Sequence, residues 1–276
     1  HYLRPHTPYT PTREAQRLVL GAVPPPPRFS ADLARVDRDA AFTFLDEGAR
    51  RGEVTPADVD YLRGLYDAEV RMADYEVGRV LEAIAQEGLA PDTLVVVTSD
   101  HGEAFLEQGA MVHGTSLQQE MLRVPLIVHL PGQSSAARVP QRVPTVDVLP
   151  TVLDALGLSV PAQVQGRSRR PGRRPAPAAV FAEAPFGIRQ ARVMEGRFSL
   201  LADPQAPAAG RLYDLSADPL ERSDVAPRFP REARRLEREL AGFLRHNEQR
   251  RQRLARRAPA ISPESREQVR ALGYVQ

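Results

Sequence analysis

The 276 residues carry 37 Lys and Arg against 35 Asp and Glu, a formal net charge of +2, with 42% hydrophobic and 26% charged residues. This is the balance of a folded globular chain. It excludes intrinsic disorder, gives no electrostatic argument for a nucleic-acid partner, and leaves no apolar run long enough to span a membrane. With no Cys in the span, disulfides and thiolate metal sites are excluded, while the redox compartment stays open.

The chain opens on His1-Tyr2-Leu3-Arg4-Pro5-His6, with no initiator Met, no signal peptide and no leading helix or strand, so we expect upstream sequence to be missing. Pro5, Pro8 and Pro11 set an extended loop over residues 1–12, and Pro24 to Pro27 form a polyproline spacer. Residues 32–51 have weak helical periodicity. Thr55-Pro56 is an N-cap followed by a first-turn proline, and opens a long helix. Its apolar positions Leu62, Leu65, Tyr66, Ala73, Val77, Val80, Leu81 and Ile84 recur at helical spacing, and Gly88 ends it.

A run of β-branched residues, Leu94 to Thr98, then reads as a strand covered on both faces. Helix, turn and strand in that order fit a parallel α/β sheet. The strand runs straight into Ser99-Asp100-His101-Gly102-Glu103. In open α/β sheets, ligands sit beyond the carboxyl ends of strands. An oxygen and a nitrogen donor side by side there can reach one metal ion, though the same residues also suit a turn in which Asp100 caps a backbone amide. A loop with His113-Gly114 follows, then a second strand from Val124 to Leu130 and a helix from Thr145 to Leu156, stopped by Gly157.

Residues 161–179, rich in Arg, Pro and Gly, read as a solvated linker and a subdomain boundary. Short strand candidates follow at Val180 to Ala182, Val193-Met194, Phe198 to Leu201 and Arg211 to Tyr213; they predict a small antiparallel sheet. Residues 230–257 form an Arg/Glu-rich helix with Leu236, Leu240, Phe243, Leu244 and Leu254 on one face. Of the histidines, His129 and His246 lie in regular elements and read as structural. His1, His6, His101 and His113 lie in loops, where function concentrates.

Six separated stretches, in order, then carry a resemblance. They are His1 to Tyr9 (an H-x-x-x-P-H-x-P-Y pattern), Leu65 to Val70, Thr98 to Glu103 with His113-Gly114 and Leu122 to Val128, Pro144 to Leu153, Leu212 to Pro219, and Leu272 to Tyr274. Together they resemble the C-terminal portion of the sulfatase family of the alkaline phosphatase superfamily. The resemblance implies an α/β fold, part of a mixed, mainly parallel sheet flanked by helices, with a small C-terminal antiparallel sheet and a helix. Residues 1–160 would belong to the catalytic core, 161–179 to the linker and 180–276 to a C-terminal α+β subdomain and tail. It implies a metal-dependent hydrolase of sulfate esters acting on a sulfated small molecule or carbohydrate, in the periplasm or outside the cell. Asp100 and His101 would ligate a divalent cation, calcium first, with manganese or zinc as alternatives. His6 and His113 would contact the sulfate or the leaving-group oxygen, one of them as general acid, and His1 is a further substrate contact. Arg123 would hold the fold.

The departures are as informative. The family's nucleophile motif, Cys or Ser followed by x-Pro-x-Arg, is missing, as are its N-terminal metal-binding aspartates. Arg4 stands where Asp is common in the family and Gln118 where Tyr is common, which bears on substrate preference. Two other readings follow: a phosphate- or phosphonate-ester hydrolase or phosphotransferase of the same superfamily, and a non-catalytic fragment or degenerate paralogue acting as a binding module. The oligomeric state is left open.

Overall fold

The computed structural model describes residues 2–170, 179–184 and 188–255. His1 and the Leu272-Gly273-Tyr274 stretch lie outside them. The first layer is helical. Helix α1 (Arg13–Leu20) starts where the Thr12 side chain accepts from the Ala15 amide, and α2 (Arg28–Leu33) and α3 (Arg38–Arg50) follow the proline stretch. Helix α4 (Pro56–Gln86) begins as its sequence predicts, with a reciprocal cap between Thr55 and Asp58. Asp58 does more than cap. It is buried, and its Oδ1 also accepts from the Ser30 amide at 3.0 Å and the Ser30 hydroxyl at 2.8 Å, tying α2 to the start of α4. Ala41 and Leu45 of α3 pack with Phe29, Leu62 and Leu65 into one core, which also takes in Tyr9, Phe105, Met111 and Val112.

Strand β1 (Val95–Thr98), the hairpin strands β2 (Ala104–Phe105) and β3 (Met111–Val112), the short α5 (Gln119–Leu122) and β4 (Leu126–His129) make up the next stretch. Here two expectations are corrected. Strand β1 pairs β4 antiparallel, from Val95 opposite His129 to Thr98 opposite Leu126, and no parallel pair occurs among the described residues. Nor is β1 covered on both faces. Val95 to Val97 are half-buried and Ile127 beside them is 61% exposed, because each of the two strands has the other as its one neighbour. The second half of α4 is likewise open, with Val80 and Leu81 exposed.

A short 3-10 turn (Thr145–Asp147) leads into α6 (Val148–Ala155). Residues 161–170, expected to be a solvated loop, dock against this helix. The Asp147 carboxylate, buried at the helix start, takes the Arg167 amide at 2.8 Å and the Arg169 guanidinium at 2.5 Å. A buried carboxylate needs such donors, and that demand outweighs the solubility of the arginine run. Gly166 permits the approach, since a Cβ there would sit 1.9 Å from the Val146 carbonyl oxygen. The remainder of the expected linker, 171–178, lies outside the described residues.

The C-terminal sheet is a meander of β5 (Val180–Glu183), β6 (Ala191–Glu195), β7 (Phe198–Asp203) and β8 (Ala206–Asp214). Helix α7 (Pro230–Ala255) lies across it, packing Leu236 and Leu240 with Val193, Leu200 and Leu212. Full burial of each leucine is worth about 1.5–3 kcal/mol. Leu254, placed on the apolar face by periodicity, is exposed. Arg192 is wholly buried within β6 and forms an ion pair with Glu221; its guanidinium also donates to Ser199 Oγ at 2.7 Å and to the Leu117 carbonyl at 2.5 Å. Burial pushes the Arg192 guanidinium down to about 10. No helix among the described residues is long and apolar enough to cross a membrane.

Candidate active site

Three loops converge beyond the end of β1. The first is the proline-rich loop at the start of the chain. Glu69 of α4, almost fully buried, fixes it at two points, taking the Arg4 guanidinium at 2.6 Å and the Thr10 amide at 2.8 Å. His6 lies between those points, and its Nδ1 sits 2.6 Å from the Thr7 carbonyl oxygen.

The second is the strand-end turn. Asp100 Oδ1 accepts from the His101 amide at 3.0 Å, and the Ser99 hydroxyl donates to the His101 carbonyl at 2.8 Å. So the turn reading and the ligand reading are compatible: one carboxylate oxygen shapes the turn while the other faces outward, 3.8 Å from His101 Nε2. Gly102 presses this turn onto α5. Its amide donates to the Met121 carbonyl at 2.8 Å, and a Cβ would lie 2.0 Å from the Glu120 carbonyl oxygen.

The third is the chain leaving β3, which delivers His113. Its Nδ1 lies 3.2 and 3.3 Å from the two carboxylate oxygens of Glu103. The His113 ring stacks on His101 with centroids 4.4 Å apart and meets His6 edge-on at 4.6 Å; Phe42 closes another side at 5.1 Å. Below the cluster, burial raises the Tyr9 phenol well above its ordinary value, and the charge of Glu103 adds to this. Burial, then Glu103, pushes Tyr66 up to about 12.

The structure thus brings His6, His101 and His113 together with Asp100 beside them. His129 and His246 are exposed, and so is Arg123, which the sequence had assigned to holding the fold. Asp100 and His101 offer one oxygen and one nitrogen donor of a chemistry that suits a divalent cation. Among the described residues no group of three or more His, Cys, Asp or Glu side chains is gathered to hold a metal. Sequence reasoning gave no role to Glu103, Glu69, Tyr9 or the Arg192–Glu221 pair. For Glu103 a signal was present: a carboxylate two residues after His101, at the foot of a two-strand hairpin that returns to a histidine.

The family model described as Sulfatase matches residues 1–158. The chain belongs to the sulfatase family. A second model, N-sulphoglucosamine sulphohydrolase, C-terminal, matches residues 112–248 of this chain. Arylsulfatase K of Bos taurus is 26% identical over 211 residues, covering 71% of this chain and 39% of that protein. An endo-4-O-sulfatase of Bacteroides thetaiotaomicron is 36% identical over 108 residues, covering 38% of this chain and 21% of that one. Among solved structures, one bound to its substrate D-glucosamine-2-N,6-O-disulfate aligns with TM-score 0.61 at 21% identity, over 89% of this chain and 63% of that one. A phosphonate monoester hydrolase from Silicibacter pomeroyi aligns with TM-score 0.62 at 24% identity, over 90% and 55%. These alignments place the fold with the alkaline phosphatase-like α/β proteins that carry a C-terminal antiparallel sheet. The chain spans about two fifths of the length of the arylsulfatase K relatives it matches.

Proposed function

We propose that the protein is a metal-dependent sulfuric ester hydrolase acting on a sulfated carbohydrate or small molecule, and that this chain supplies one side of its active site. The observation that carries the reading is the meeting of His6 and His101, far apart in sequence, on the ring of His113, with centroids 4.6 and 4.4 Å from it. Family membership and the sulfated sugar bound by a structural neighbour support the substrate class.

Each residue then has a task. Asp100 and His101 hold a divalent cation, calcium first among candidates, which when bound stabilises negative charge on the ester oxygens. His6 and His113 bind those oxygens, and one of them passes a proton from its imidazole to the leaving oxygen as the S–O bond breaks. Glu69 keeps the His6 loop seated. The nucleophile and the remaining cation ligands come from sequence outside this chain. The likeness to a phosphonate monoester hydrolase favours one second reading, cleavage of a phosphonate or phosphate ester at the same site.

Side-by-side hydrolysis of nitrophenyl sulfate, nitrophenyl phosphate and a phenyl phosphonate ester tests the proposal. The 276-residue chain alone should turn over none of them. The protein with its nucleophile-bearing segment should prefer the sulfate. Robust turnover by the chain alone overturns the shared-site reading, and preference for the phosphonate replaces the sulfatase reading with the second one.

A further inference from the structure

The three clustered imidazoles are anchored in different ways. The Nδ1 atoms of His6 and His101 each face a backbone carbonyl at a chain neighbour, Thr7 at 2.6 Å and Gly102 at 2.8 Å. His113 alone is anchored by a side chain, and that side chain comes from the opposite strand of a hairpin. The register makes the pair: Ala104 lies opposite Val112 and Phe105 opposite Met111, so the next positions outward are Glu103 and His113. The Glu103 side chain is 4% exposed and that of His113 16%. Water therefore competes little for the carboxylate, and Tyr9 and Tyr66, both shifted upward in part by its charge, lie around it. A carboxylate oxygen only accepts, so the His113 nitrogen facing it carries the hydrogen.

We propose that Glu103 is the positioning residue of His113: it holds the Nδ1–H, so that Nε2 is the nitrogen that takes up a second proton and, in the charged ring, donates to an ester oxygen. The inference rests on the proposed role of His113 in hydrolysis, but its central claim concerns which nitrogen is free, which can be read without turnover. An imidazole held on one nitrogen by a buried carboxylate is fixed in both tautomer and ring direction. Glu103 touches no substrate in this scheme; it acts through His113.

Ring-nitrogen NMR of the native protein, with His113 in its neutral form, should show hydrogen on Nδ1. In Glu103→Ala the tautomer should redistribute toward Nε2–H. In Glu103→Gln, whose amide oxygen can still accept, it should return to Nδ1–H. In the complete enzyme Glu103→Ala should lower kcat about ten- to a hundredfold with KM changed less than about twofold, and Glu103→Gln should recover most of the loss. A native His113 with hydrogen on Nε2, or an unchanged tautomer in folded Glu103→Ala, overturns the proposal. If Glu103→Ala does not fold, the native spectrum and the Gln variant decide it alone. A native Nδ1–H tautomer that redistributes in the Ala variant, in a protein that cleaves no sulfate ester, would leave the positioning intact and remove the hydrolase reading instead.

Discussion

Replacing Arg192 by Met should be among the most damaging single changes outside the hydrophobic cores. Arg192 is fully buried, and the Glu221 side chain that pairs with it is 1% exposed. Removing the cation strands a carboxylate away from water, a loss of about 3–5 kcal/mol for a broken buried pair. The Leu117 carbonyl and the Ser199 hydroxyl lose their donor as well, at about 1 kcal/mol each or more. The sum is about 5 kcal/mol or above, set against a total stability of about 5–15 kcal/mol for a domain. The double variant Arg192→Met/Glu221→Gln removes both charges and should cost about 1–3 kcal/mol, less than the single Arg192→Met. Urea unfolding followed by circular dichroism measures all four corners of the cycle. The expected coupling is at least about 3 kcal/mol, to which the cost of Glu221→Gln alone adds. Costs that simply add, or a double variant weaker than Arg192→Met, would refute the view that the charge left behind, rather than lost packing, dominates.

Three further outcomes are expected. Burial raises the Asp58 carboxyl, but hydrogen bonds from Thr55 and Ser30 outweigh this and hold it below the usual carboxylate range. Its stabilisation is therefore present above the unfolded value near 4 and lost as pH falls through the lower folded value. Asp58→Ala should cost about 2–4 kcal/mol near neutrality and flatten the acid limb of a stability–pH profile; an unchanged limb contradicts the assignment. Gly102→Ala should destabilise by at least about 2 kcal/mol and disturb the histidine cluster, because its Cβ meets backbone rather than a movable side chain; thermal melting and His NMR signals show this, and a native-like spectrum would contradict it. Asp100→Ala, at a side chain 54% exposed, should leave unfolding within about 0.5 kcal/mol of the parent while abolishing cation binding by calorimetry and activity in the complete enzyme. Retained calcium binding would remove Asp100 from the ligand set.

Much of this arrangement was legible along the chain because it is locally encoded. The Thr55-Pro56 start, the Gly88 and Gly157 stops, the C-terminal meander and the apolar face of the last helix each follow from a few neighbouring residues. The loop position of His6, His101 and His113 was legible for the same reason. What stayed hidden depends on partners remote in sequence. The cover on Val95 to Val97 is set by how many strands lie beside them, which a run of valines does not state. Glu69 reads as one more charge on a long helix until the loop carrying Arg4 and Thr10 folds onto it. Arg169 looks like solvated low complexity until Asp147, twenty-two residues earlier, is buried beneath it.

The buried Arg192 also bears on how such proteins could be recombined. The two family-model matches overlap across residues 112–158, and the contacts between the His113 loop and the C-terminal sheet fall in that overlap. Leu117 is bonded to Gln190 and Arg192, and Gln119 to Glu221. A crossover placed after residue 119 would therefore graft a foreign sheet onto a loop built for another arginine. A chimaera should be cut before Leu117, so that the loop and the sheet that grips it are inherited together, and the cut then falls within a few residues of His113.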